Sequence, residues 1–199
     1  MQTGPTGKLM RREVVKTLLE DRGGMLAIGG LGAPAWDITA AGDTPLNLPL
    51  WGGMGAAAVM GLGLAQAQPE RRVLVVTGDG EMLMGIGSLA TIAVKRPGNL
   101  AIVVLDNEHY GETGMQETAT RHGVDLVGMA RAAGITDSRL VRTAEELLAL
   151  RQAIRAGGLL FAVIKIDEAA QPLVLPPREA SILQARMREA ILGPAAHLQ

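Results

Sequence analysis

The chain has 199 residues, 48% of them apolar, and its Lys plus Arg total of 19 against 20 Asp plus Glu gives a formal net charge of −1. That length suits one domain with a sizeable core, and the balanced charge excludes a dominant field for nucleic acid or an anionic membrane. Cys is absent, which removes disulfides, thiolate metal sites and a Cys nucleophile, and Trp36, Trp51, Tyr110 and Phe161 are too few aromatics for stacking nucleobases.

The N-terminal stretch is polar and Gly-rich, then charged through Lys8, Arg11, Arg12 and Glu13. It lacks the apolar core of a signal peptide, and no apolar run reaches a membrane span, so a soluble cytoplasmic protein is expected. Leu9, Val14, Val15, Leu18 and Leu19 recur at helical spacing until Gly23-Gly24 stops them. A short apolar strand over residues 25–28 ends in Gly29-Gly30-Leu31-Gly32, and residues 33–41 read as a helix with Pro34 in its first turn. A polar loop follows and leads to Leu48-Pro49-Leu50-Trp51. Residues 53–68, rich in Ala, Gly and Met, suit a helix buried on nearly every side and packed close to a neighbour.

Val73-Leu74-Val75-Val76-Thr77 is the plainest strand, running into Gly78-Asp79-Gly80 and a helical stretch over residues 81–95. After a turn at Pro97-Gly98-Asn99, an apolar strand over 100–105 ends at Asp106-Asn107. Residues 108–122 lack periodicity and read as a functional loop. A helix over 125–133, a short strand near Leu140-Val141, a Thr143-capped helix with Glu146 in the capping-box position, and a strand over 159–166 complete the alternation. The tail from about residue 168 carries Pro172, Pro176 and Pro177, then an amphipathic helix over 178–192. Continuous apolar strands alternating with helices predict an α/β fold: a mostly parallel sheet of about six strands covered on both faces, in a single domain over residues 1–199.

Ligands of open parallel sheets bind at the carboxyl ends of the strands. Gly29 to Gly32, Gly78 to Gly80, and Asp106-Asn107 all fall there. Gly78 and Gly80 allow a sharp turn and close ligand approach, and the helix that follows offers free amides to a diphosphate. Asp79 would repel that diphosphate unless a cation lay between them. Magnesium fits, with Asn107 adding an amide oxygen to its shell.

Twenty-six residues separate Gly80 from Asn107, room for one helix, a turn and one strand. In this pattern the sequence resembles the thiamine-diphosphate-dependent enzymes, whose signature is GDG followed by Asn at such an interval. The resemblance implies Asp79 and Asn107 as magnesium ligands, with the backbone carbonyl of His109 as a third. It also implies diphosphate contacts from Gly78, Gly80 and the Glu81 amide. Trp51-Gly52-Gly53-Met54-Gly55 is similar to the segment before GDG in the family's decarboxylases. There Met54 would prop the cofactor in its bent form and the Gly52 carbonyl would accept from its amino group. Gly30 and Leu31 match the region that contacts aminopyrimidine and diphosphate, and Tyr110 and Gly111 would border the cofactor. His109, Tyr110, Thr113 and Gln116 lie where a substrate-facing, catalytic loop would be. His122 and His197 read as surface residues.

Within the family the likeness is to sulfopyruvate decarboxylase β subunits and the C-terminal half of phosphonopyruvate decarboxylases, over about residues 9–166. It implies a PP-type thiamine-binding fold and a 2-oxo acid decarboxylase, with a carboligase of the same family as the alternative fate. The family's activating glutamate lies on a second, pyrimidine-binding domain. One sheet leaves no room for it, so an α subunit is expected to supply it, in an α2β2 assembly whose interface uses the Gly- and Met-rich face. Two positions depart from the pattern, since relatives have small residues where this chain has Glu81 and Glu112. These carboxylates would oppose an anionic sulfonate or phosphonate, or are solvated, dipole-stabilised glutamates. Two readings from other classes remain. Gly30-Leu31-Gly32-Ala33-Pro34-Ala35 fits a dinucleotide-binding GxGxxA, which needs an acid ending the next strand, where Asp43 comes too early. A non-catalytic partner retaining the fold as a scaffold is opposed by the intact Asp79 and Asn107.

Overall fold

A computed structural model describes residues 3–197, and the side chains of residues 3–196. The expectation for the His197 side chain therefore falls outside the described residues. In chain order the elements are α1 (Arg11–Leu19), β1 (Leu26–Gly29), α2 (Ala33–Ala40), β2 (Asn47–Pro49), α3 (Ala57–Ala67), β3 (Val73–Gly78), α4 (Asp79–Met84), α5 (Ser88–Lys95) and β4 (Leu100–Asp106). They continue with the short pair β5 (His109–Tyr110) and β6 (Gln116–Glu117), then α6 (Leu126–Ala133), β7 (Ser138–Val141), α7 (Ala144–Ala156), β8 (Leu160–Lys165) and α8 (Ala180–Leu192). Six strands form one wholly parallel sheet in the order β2-β1-β3-β4-β8-β7, and β5 and β6 make a separate antiparallel hairpin.

Strand periodicity divides the core. Val73 and Val75 face the layer of α3, α5 and α6, whereas Leu74 and Val76 face α1, α2 and α7. Phe161, the one Phe, is fully buried in β8. Gly61 lets α3 lie directly on β3, because a Cβ there would overlap Val75. Asn99 fastens the next turn by donating from Nδ2 to the carbonyls of Ala65, Gln68 and Arg71 at 2.8–3.0 Å. The Thr143–Glu146 capping box forms as expected.

Four local expectations are corrected. β2 lies where a loop was read: its three residues are too few for a period, yet it pairs with β1 from Asn47 to Pro49. α3 starts at Ala57 because Gly53 and Gly55 adopt φ of +73° and +90°, outside the right-handed helix. That helix is buried along one side only, and Val59 and Met60 are exposed. The stretch after Gly80 is two helices, broken where Gly85 meets the Gly55 carbonyl so closely that a Cβ on Gly85 would overlap it.

The tail returns across the sheet's β2 edge. Trp51 Nε1 donates to the Pro177 carbonyl at 2.7 Å, α8 buries Leu183 and Met187, and Arg186 clasps both oxygens of Asp43. No helix among the described residues is long and apolar enough to cross a membrane.

Candidate functional site

Parallel register brings three chain segments to one place. Gly29 lies opposite Val76, and Gly78 opposite Leu105, so the ends of β1, β3 and β4 are neighbours at the carboxyl edge. Asp79 stands there as the first residue of α4 and is 2% exposed. Its Oδ2 accepts hydrogen bonds from both Thr118 Oγ1 and Thr120 Oγ1, and its Oδ1 has no side-chain donor. Thr120 Oγ1 also lies 2.9 Å from Asp106 Oδ1, so its single proton is shared between the two carboxylates. Two buried carboxylates are thus tied through one threonine.

Their charges are treated differently. Asp106 Oδ2 meets Lys165 Nζ at 2.7 Å, because β4 and β8 place Asp106 and Lys165 in register. Asp79 has no cationic partner among the described residues. Burial, with help from the nearby Asp106 charge and against the threonine hydrogen bonds, pushes the Asp79 carboxyl up to about 6. Lys165 also reaches Glu108 Oε1 at 2.8 Å, and Lys8 reaches Glu108 Oε2 at 3.2 Å. Burial alone would raise Glu108, but these ammonium groups outweigh it and hold the carboxyl at about 2. Glu108 has a φ of +67°, which is rare for a non-glycine residue. The conformation is supported by two side-chain turns: Glu108 N donates to Asp106 Oδ1 and His109 N to Asn107 Oδ1, both at 3.1 Å.

Asn107 is therefore fixed at the end of β4 with an oxygen that retains a second lone pair. The His109 ring turns away, its Nδ1 at 2.9 Å from the Asn107 carbonyl and 3.4 Å from a Glu168 oxygen. The Tyr110 ring packs against Gly80, where any Cβ would overlap it. This changes the reading of both motif glycines. Gly80 makes room for Tyr110, and Gly78 has an ordinary extended φ of −94°, with nothing within 4 Å of the place its Cβ would occupy. Neither is needed for a sharp turn; Gly78 leaves open space at the strand end.

Gly30 also answers to a neighbour. A Cβ there would overlap Glu81 Oε2, and Glu81 is 3% exposed, so the solvated glutamate envisaged at this position is corrected. Its Oε2 accepts from Thr77 Oγ1 at 2.8 Å, whereas Oε1 is buried with no hydrogen-bond partner. Burial raises the Glu81 carboxyl, against the Thr77 hydroxyl and the amides of Ala57, Leu31 and Gly55, which face it without reaching bonding geometry. Glu81 thus sits behind the site, between the turn of Leu31 and the loop of Met54. Glu112 leans over Gly32, where its side chain would meet an added Cβ, and burial raises its carboxyl against the pull of Arg11.

Gly52 and Met54 lie in the loop before α3, and both are exposed, Met54 at 42%. Met54 is thus no core filler. Thr113 and Gly111 are exposed in the hairpin loop, with Thr113 Oγ1 bonded to Gln116 Oε1 at 2.9 Å. His122 is on the surface beside Glu117. The structure gathers Asp79, Asn107, Gly78, Gly80, Tyr110, Gly30 and Leu31 at one edge. It adds Thr118, Thr120 and Lys165, which sequence reasoning missed. A lone Lys ending an otherwise apolar strand was the available signal. Nothing local marked the threonines. The dinucleotide-binding alternative fails here, since β2 ends at Pro49 with no acid and Asp43 precedes that strand in an ion pair with Arg186.

Comparison with known proteins gives the chain a family. The family model described as "Thiamine pyrophosphate enzyme, C-terminal TPP binding domain" matches residues 32–165. The chain is 40% identical over 154 residues to "Sulfopyruvate decarboxylase subunit beta" of Methanothermobacter thermautotrophicus, covering 77% of this chain and 78% of that one. It is 33% identical over 177 residues to "Sulfopyruvate decarboxylase" of Methanosarcina acetivorans, covering 87% of this chain but only 46% of that longer protein. Among solved structures, a putative thiamin diphosphate-dependent enzyme from Mycobacterium smegmatis superposes with a TM-score of 0.68 at 21% identity, over 81% of this chain and 32% of that one, which supports the fold. The chain belongs to the thiamine pyrophosphate enzymes, as their C-terminal TPP binding domain.

Proposed function

We propose that the chain is the diphosphate-binding β subunit of a thiamine-diphosphate- and magnesium-dependent 2-oxo acid decarboxylase of the sulfopyruvate type. The observation that carries this reading is Asp79: a buried carboxylate at the end of β3, with one oxygen occupied by two threonines and no cation to balance it. Such a group fits a metal ion. The donors at hand, the Asp79 carboxylate, the Asn107 amide oxygen and the His109 carbonyl, are all hard oxygens suited to magnesium. The open space at Gly78 and the unpaired first-turn amides of Gly80 and Glu81 suit the diphosphate.

Each residue then has a task. Thr118 and Thr120 hold Asp79 so that Oδ1 stays available to the metal. Lys165 neutralises Asp106, so the neighbouring carboxylate does not compete for it. Met54, Gly52, Gly30 and Leu31 line the approach of the cofactor's rings, and Tyr110 and Gly111 close the side nearest Gly80. Thr113 faces the substrate from the hairpin loop, and His109 contributes its backbone carbonyl while its ring stays on Asn107 and Glu168. When bound, thiamine diphosphate supplies the carbon nucleophile and the electron sink that decarboxylation needs.

An α subunit would carry the pyrimidine-binding domain and its glutamate, in an α2β2 assembly. Support for a partner comes from the relative named subunit beta, whose length this chain largely spans. Met54, Val59, Met60 and Met84 are all exposed on the α3 and α4 side, an apolar face fitted to a protein contact. The test is calorimetry of thiamine diphosphate binding and a decarboxylation assay on sulfopyruvate, with the chain alone and co-expressed with its α subunit. Magnesium-dependent binding tightened by the α subunit, with turnover only in the complex, is expected. Turnover by the chain alone, or binding indifferent to magnesium, overturns the assignment.

A further inference from the structure

The opposite edge of the sheet holds a second concentration of charge, which the proposed chemistry does not use. A cavity of about 410 Å3 is lined there by Arg22, Met25, Glu70, Arg71, Arg72 and Arg155. Arg22 and Met25 precede β1, Arg71 and Arg72 precede β3, and Arg155 sits in the last turn of α7, which leads into β8. All belong to the amino ends of the strands. The length of β3 alone, at about 3.3 Å per residue, separates them from Asp79 by about 20 Å.

None of the four guanidinium groups has a carboxylate partner among the described residues. Arg22 donates to Asn47 Oδ1 and Thr44 Oγ1, both at 2.7 Å. Arg72 Nη1 donates to the Gly158 carbonyl, and Arg155 Nη2 to the Glu20 carbonyl. Arg71 makes no ion pair and lies over Gly24. The acids close by are already engaged, since Arg151 holds Glu20 at 2.9 Å and Asp21 at 3.5 Å. Glu70 is the one acid in the lining. Burial lowers Arg22 and brings Arg72 down to about 10, with no acid opposing it in either case.

Arg72 is the informative member. Its Nε and Nη2 have no hydrogen-bond partner, and because a water-sized probe does not reach them the fork meets a ligand only after the side chain turns towards the cavity. Those two atoms form the side-on edge of a guanidinium that grips oxyanions through two parallel bonds. Elsewhere in this molecule the same edge is filled: Arg139 clasps Asp137 through Nε at 2.6 Å and Nη2 at 2.9 Å.

We propose that this cavity is a binding site for a phosphate dianion, free or carried by a small phosphomonoester. Four cations from three separate turns suit a tetrahedral oxyanion with several acceptor oxygens better than a planar carboxylate, which saturates one or two forks. The cavity is of small-molecule size and concave, unlike a surface that tracks a polymer. A bound phosphate would tie together the turns before β1, β3 and β8, and so stabilise the fold by mass action.

The test titrates inorganic phosphate into the full chain in the presence of a chelator, against chloride at matched ionic strength. Heat and melting temperature are followed. A saturable rise is expected, at least tenfold weaker in Arg71→Gln and in Arg155→Gln, and unchanged in Asp79→Asn. Arg72→Met tests the buried fork, and the two rim variants keep the test decisive should that one fail to fold. Glycerol 3-phosphate is the second probe: tighter binding than phosphate assigns the site to an ester, equal binding to the free ion. A response that chloride reproduces, or one lost in Asp79→Asn but kept in the arginine variants, overturns the proposal. So does unchanged phosphate binding in Arg71→Gln with loss of α-subunit association, which would make the arginines an interface.

Discussion

The two ends of the sheet differ in the charge they leave without an ion pair. At the carboxyl ends these are Asp79 and Glu81, beside Asp106 and Glu108 paired with Lys165, and at the amino ends Arg22, Arg71, Arg72 and Arg155. Part of this segregation follows from the architecture. A parallel α/β layer points helix N-termini at one edge and C-termini at the other, so acids in first turns and bases in last turns oppose the dipoles. Glu145 and Glu146 at the start of α7 and Arg155 at its end fit that account. Asp79 and Arg72 do not need it. Each has buried polar atoms without a counter-charge, and an exposed helix end never requires that arrangement. The difference teaches which charges are structural and which await a ligand: paired ones such as Asp106 with Lys165 complete the fold, and unpaired ones mark sites.

The sharpest way to break the comparison is Asp79→Asn. Magnesium-dependent binding of thiamine diphosphate should weaken at least a hundredfold by calorimetry, and an intact affinity would remove Asp79 from the site. The same variant should melt higher than the native chain without metal. The folded Asp79 carboxyl titrates near 6 against an ordinary 3.8, so the folded state keeps a proton that the unfolded chain has lost. This group's contribution to metal-free stability is therefore most favourable below about pH 4 and declines as pH rises through about 6. At pH 8 Asn should recover about 2–3 kcal/mol, the order expected for a carboxyl moved that far, and magnesium should stabilise only the native chain. Glu108 works in the other direction. Its carboxyl is held near 2, so its contribution is present above about 4.5 and lost on acidification towards 2.

Next in size is the threonine pair. Thr118→Val removes one of two hydroxyls from Asp79 Oδ2, and magnesium affinity should fall about tenfold, in line with about 1–3 kcal/mol for a hydrogen bond to a buried charge. Thr118→Ser should restore it. A loss that Ser does not rescue would point to packing by the methyl group instead.

How much of this could be read from the chain follows the range of the contacts. The alternation of apolar strands and the GDG-to-Asn interval are local, so the parallel sheet and the placing of Asp79 and Asn107 at the carboxyl ends of neighbouring strands were both legible. The break between α4 and α5 was not, because it depends on Gly85 passing the carbonyl of Gly55, thirty residues away in sequence. The burial of Glu81 was hidden for a similar reason. A carboxylate in the first turn of a helix looks solvated until the opposing Thr77 and Gly30 are placed against it. Thr118 and Thr120 look like loop residues until the hairpin of β5 and β6 folds them back onto Asp79.

The smallest effect separates the two ends most cleanly. Arg71→Gln removes a half-buried charge with no ion pair, so without phosphate its stability should change by no more than about 0.5 kcal/mol, as for surface substitutions generally. Its sign should be stabilising at low salt, because Arg71 stands among Arg22, Arg72 and Arg155 with Glu70 alone to offset them. Raising the salt should abolish the difference, since partly exposed charges are screened within about 10 Å at 0.1 M. A destabilising result that salt leaves untouched would mean that Arg71 has a partner within the fold. The amino end would then be an ordinary ion-paired surface, and the unpaired carboxylate at Asp79 would have no counterpart there.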